Sequence, residues 1–172
     1  QAAPETVVMM ISGNHDSASR VNCFRSVLAR QKLYMIGQPP QREGEYIEKV
    51  SLYDTWGKVN FYLLPFVKPS TVKAITGCDE NGNNLSYNET VCRLIQRENI
   101  REEERNVIVS HQFYLPSGTR AEDIPRMDSE IRTVGNIDEV QSSVLEPFDY
   151  AALGHIHKPM KVGSEVIRYC GT

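Results

Sequence analysis

The chain has 172 residues, of which 40% are hydrophobic and 24% charged. That composition describes one soluble globular domain with its own core and excludes both a disordered polymer and a pair of full-sized domains. A formal charge of −3 rules out a general attraction for nucleic acid, so any such partner would need a local basic patch or metal ions to offset phosphate repulsion.

Cys23, Cys78, Cys92 and Cys170 are widely spaced, without a Cys-x-x-Cys pair, and read as reduced thiols of a cytoplasmic protein. The first apolar run, Val7 to Ile11, is too short for a membrane span and has no basic leader. Because the chain starts with Gln1, enters a strand almost at once and stops just beyond Tyr169, it reads as cut at both ends.

In chain order, Val7 to Ile11 predicts a fully buried strand, with Ser12-Gly13 a turn and Asn14-His15-Asp16 a loop. Asp16 or Ser17 is placed to cap a helix whose apolar positions Val21, Phe24, Val27 and Leu28 recur at helical spacing. Tyr34 to Ile36 is a short strand. Tyr46 to Tyr53 and Lys58 to Phe66 alternate with period two around Asp54-Thr55-Trp56-Gly57, a β-hairpin that Pro65 and Pro69 bring to an end.

Thr76 to Asn84 reads as a loop and Asn88 to about Ile100 as a helix with Val91, Leu94 and Ile95 inward. Arg93, Arg97, Arg101 and Arg105 recur every four residues and could form a phosphate-binding stripe. Glu98, Glu102, Glu103 and Glu104 among them favour a salt-bridged solvent face. Asn106 to Ser110 is a buried strand, Gln112 to Arg132 a long loop, Ile137 to Leu145 a helix and Asp149 to Leu153 a strand. Met160 to Val162 and Val166 to Tyr169 form a hairpin turning at Gly163-Ser164.

All four histidines stand at or just past the ends of short apolar runs: His15, His111, and the pair His155 and His157. If those runs are neighbouring parallel strands, their carboxyl ends share the rim where open α/β sheets bind ligands. One amide oxygen from Asn14 and three imidazoles from His111, His155 and His157 suit manganese, iron or zinc. What the set lacks is carboxylate charge. Asp149 lies about 20 Å back along its strand, and Asp16 is better placed to orient His15 or cap the helix.

Gly13-Asn14-His15-Asp16, Ser110-His111 and Gly154-His155-Ile156-His157, in that order, resemble the later signature motifs of the calcineurin-like metallophosphoesterases. The contexts Ile11 to Ser17, Asp128-Ser129-Glu130 with Val134-Gly135, and Phe148 to Pro159 through Gly171 are similar to the SbcD-type nuclease subunits, relatives of the Mre nucleases. The resemblance runs across nearly the whole chain. It implies an αββα sandwich with mixed sheets and one partial metallophosphoesterase domain over 1–172. It also implies a manganese-dependent DNA nuclease of repair and recombination, a double-strand exonuclease and single-strand or hairpin endonuclease working by a two-metal mechanism with an SbcC-type ATPase subunit.

On that resemblance Asn14, His111 and His155 bind one metal and His157 the other. His15 contacts the scissile phosphate and protonates the leaving oxygen, oriented by Asp16. Family members also carry Asp-x-His and Gly-Asp-x-x-Asp motifs upstream and a capping domain downstream, and neither is in this chain. The expectation is a polypeptide that is inactive or impaired alone, holds at most one Mn2+, and pairs with a second copy through the exposed edge of its first strand. The alternatives are a phosphomonoesterase or cyclic-nucleotide diesterase, and a non-catalytic interaction module.

Overall fold

The computed structural model describes residues 6–120 and 138–171. They form a mixed α/β fold in which ten strands make three sheets. Strand β1 (Val8–Ile11) runs through two short helices, α1 (Ala18–Asn22) and α2 (Arg25–Ala29), into β2 (Leu33–Ile36), its parallel neighbour.

The main sheet has six strands in the order β3-β4-β5-β8-β10-β9, where β3 is Glu48–Asp54, β4 Gly57–Leu64, β5 Arg105–Ser110, β8 Tyr150–Leu153, β9 Met160–Val162 and β10 Ser164–Tyr169. Its centre, β4 to β10, is parallel, and antiparallel hairpins flank it at both sides. A parallel pair, β6 (Phe113–Leu115) and β7 (Glu139–Gln141), makes the third sheet.

One face of the main sheet carries the larger core, in which Tyr62, Leu64, Ile108, Ala151, Leu153 and Ile167 pack with Val72, Val91, Leu94 and Ile95 of the helices α3 (Pro69–Thr76) and α4 (Tyr87–Gln96). A capping box starts α4: the Ser86 hydroxyl accepts from Glu89 N–H while the Glu89 carboxylate accepts from Ser86 N–H. On the other face Ile36, Val50 and Leu63 form a smaller core with Met9, Ile11 and Tyr34, which seats the β1–β2 sheet.

Several expectations change. β1 is not buried on both faces: Met9 and Ile11 face the small core, but Val8 is 37% and Met10 48% exposed on the opposite face, which the larger core does not reach. The helix expected after it breaks at Cys23-Phe24, with Phe24 64% and Val27 59% exposed, because only one side of the pair packs on β2. Neither helix has a side-chain cap.

Pro69, taken as a strand terminator, opens α3 at a position where its missing N–H costs no helical bond. The helix expected over Ile137 to Leu145 is β7 followed by a 3-10 turn, Ser142–Leu145; residue 137 lies outside the described residues. The expected loop from Gln112 begins with the buried strand β6, while its residues from 121 on, with Asp128, Glu130 and Val134, lie outside the described residues.

The arginine stripe does not form. Helix α4 ends at Gln96, Arg93 and Arg97 donate to the carbonyls of Thr76 and Glu45, and Arg105 makes a two-pronged ion pair with Asp54. Glu98 is not a solvent group either: it accepts from Ile47 N–H, and burial holds its carboxyl above the usual range.

Candidate metal centre

The expected rim exists, though not as one sheet. β5 and β8 are parallel neighbours that end in His111 and in Gly154-His155-Ile156-His157. The Asn14-His15-Asp16 loop arrives from the separate β1–β2 sheet. One backbone bond joins the two: Phe66 N–H at the exit of β4 donates to Ser12 O, while Ser12 N–H to Ile36 O and Gly154 N–H to Ser110 O continue the pairing within each sheet. The buried Ser12 hydroxyl adds a 2.8 Å bond to Gly37 O.

Asn14, His111 and His155 meet there. His111 Nε2–H donates to Asn14 Oδ1 at 3.1 Å, and the rings of His111 and His155 stand edge to face with centroids 5.4 Å apart. All three are half-buried, whereas His15, Asp16 and His157 are exposed at the same rim. Burial, with the nearby His155, pushes His111 down to about 4, so its ring is neutral and has a lone pair to offer at neutral pH. Charges on His15 and His157 act in the same direction, and Asp16 opposes them.

Asp16 has a local task. Its Oδ2 accepts from Gly13 N–H at 2.7 Å while its own N–H donates to Gly13 O, which closes the loop on itself. The bond places Oδ2 on the backbone before Asn14. His155 sits at φ 92°, in the left-handed region that costs a residue with a Cβ about 1–3 kcal/mol.

Two aromatic rings wall the site and carry no signal in a search for metal ligands. Phe66 stands edge-on to His111 with centroids 6.4 Å apart, and Phe113 lies at 6.0 Å from His155. Phe66 could have been found as the residue leaving β4, the next parallel strand on the same rim.

Two donors bound about 2.1 Å from one cation at right angles lie about 3.0 Å apart. The Asn14 Oδ1 to His111 Nε2 separation of 3.1 Å is that of their hydrogen bond, so a cation between them would take the Nε2 lone pair only as that proton leaves the nitrogen, with His155 alongside. The donors are one amide and two imidazoles, all uncharged. Among the described residues no three histidine, cysteine, aspartate or glutamate side chains group closely enough to hold an ion. A cation placed here would therefore rest on the Asn14 amide and two imidazoles, without a carboxylate among the described residues to bridge a second ion. No protein-family model matches the chain.

Proposed function

We propose that this chain is part of a metal-dependent phosphodiesterase of the SbcD-type nuclease group, within the calcineurin-like αββα architecture. The observation that carries the reading is the convergence of Asn14, His111 and His155, from two sheets, at the carboxyl ends of parallel strands. A divalent cation bound there would lower the pKa of a coordinated water and screen phosphate charge. Asn14, His111 and His155 would hold it, while exposed His157 would face a second ion supplied with carboxylates from elsewhere. His15, exposed beside Asn14, would contact the phosphate and hand a ring proton to the leaving oxygen.

The substrates are DNA ends or hairpins, and the partner is an SbcC-type ATPase. The uncharged donor set leads to a chain that binds a single Mn2+ weakly and turns over little or no DNA by itself. A nuclease assay with Mn2+ on blunt duplex ends, run beside small phosphomonoesters and cyclic nucleotides, tests this. Near-normal turnover of duplex DNA would overturn the assignment of impaired catalysis, and turnover of the small esters alone would overturn the nuclease assignment. Among the described residues no helix is long and apolar enough to cross a membrane.

A further inference from the structure

The His111 ring lies in a slot whose two walls are glycine backbone. A Cβ built on Gly13 would stand 2.7 Å from Cε1 and 2.8 Å from Nε2 of His111, and one on Gly154 would stand 2.6 Å from Nδ1. Neither glycine has a positive φ, unlike Gly44, Gly57 or Gly171. Backbone freedom therefore does not explain glycine at either place; the space taken by the imidazole does.

Each glycine is followed directly by a candidate ligand, Asn14 after Gly13 and His155 after Gly154. We propose that Gly13 and Gly154 are positioning residues: by carrying no side chain they let two loops from different sheets close on one imidazole, and that closure sets His111 Nε2 against Asn14 Oδ1. The ligand role of these three groups rests on the reading above; the slot does not.

Magnitudes support the claim. Non-bonded carbon contacts settle near 3.5–4.0 Å, so a methyl group on either glycine forces the ring and loop apart by roughly 0.8–1.4 Å. Ligand distances in a metal site tolerate about 0.2 Å. Phe66 and His155 stand against the ring at 6.4 and 5.4 Å and limit where it can move. The two glycines also act differently. A methyl on Gly13 meets the Nε2 edge and separates it from Asn14, whereas one on Gly154 meets Nδ1 and drives the ring away from the His155 loop.

The test is a double-mutant cycle on the full chain. Gly13→Ala and Gly154→Ala are each compared with and without His111→Ala by urea unfolding, and the histidine side-chain nitrogens are read by NMR. Each glycine substitution is expected to lower the unfolding midpoint when His111 is present and to have little effect when it is replaced. A glycine variant that folds only in the His111→Ala background is the same result in its extreme form. Equal losses in both backgrounds, or failure to fold in both, would overturn the slot.

In the parent chain the His111 proton is expected on Nε2, held by Asn14, and in the glycine variants it is expected to spread over both nitrogens. An unchanged Nε2 signal would overturn positioning. Mn2+ titration then separates the two ideas: a 10–100-fold loss of affinity in the variants supports both. A parent chain that binds no Mn2+ overturns the metal reading, with the cycle still deciding the slot, and variants that bind as well as the parent overturn positioning.

Discussion

Acid should weaken this fold through His111, and replacing that residue with glutamine should remove the effect. The ring titrates at its ordinary value of 6.5 in the unfolded chain and near 4 in the folded one. Between those values the unfolded state binds the extra proton, so stability rises with pH across the window, is unaffected by this group above 6.5, and is lost in full below 4. Each unit corresponds to about 1.36 kcal/mol, which sets a ceiling of about 3 kcal/mol; because the ring is partly reached by solvent, about 2 kcal/mol is the working figure. Urea unfolding of the parent and His111→Gln from pH 7 to pH 4 gives the difference curve, in which carboxylate titrations common to both chains cancel. Far-ultraviolet circular dichroism suits the assay better than fluorescence, because the sole tryptophan, Trp56, is 84% exposed in the folded chain and would change little. Parallel pH curves for the two chains, or a His111 C–H resonance titrating near 6.5, would refute the reasoning.

Further outcomes follow from buried polar groups and from the ligands. Tyr169→Phe removes the hydroxyl that accepts from Tyr114 N–H at 2.6 Å, leaving that donor buried and unmatched, and should cost about 1–3 kcal/mol in urea unfolding. Gln112 is fully buried and neither atom of its amide has a hydrogen-bond partner among the described residues, so Gln112→Met should be neutral or stabilise by about 1 kcal/mol. Asn14→Ala and His155→Ala should each weaken Mn2+ binding at least about tenfold, read by the electron paramagnetic resonance of free Mn2+. The open edge of β1, which has β2 as its one strand neighbour among the described residues, should make the chain self-associate, and a sedimentation profile that stays monomeric with rising concentration would remove that expectation.

Much of the main sheet could be read from local pattern. Alternation placed the β3–β4 hairpin around Thr55-Trp56, and short β-branched runs placed β5 and β8 to within a residue or so. What failed were positions where neighbours decide. Val7 to Ile11 has the composition of a strand covered on both faces, but composition does not reveal that the Val8 and Met10 face would be left partly open. Phe24 and Val27 have helical spacing, yet nothing in the spacing says that only the Val21 and Leu28 side meets β2. Val140, Val144 and Leu145 are compatible with a helix or with a strand and turn, and pairing of Val140 with Tyr114 settles the choice.

The site divides in the same way. Histidines at strand exits were visible because the chemistry of imidazole marks them. The contact between Asn14 and His111 spans 97 residues of sequence, and the glycines and phenylalanines that shape it are residue types that occur everywhere. Their meaning is steric, and steric meaning appears only when the sheets are assembled.

His155 holds a backbone angle that a residue without a Cβ would adopt at no penalty. Exchanging it for glycine should therefore give a chain that melts later and, on the proposed function, binds metal worse, a gain in stability of about 1 kcal/mol bought by discarding a proposed ligand. On that view the imidazole is kept in a conformation the fold alone would not choose, and the conflict between durability and chemistry in this molecule is concentrated in a single torsion.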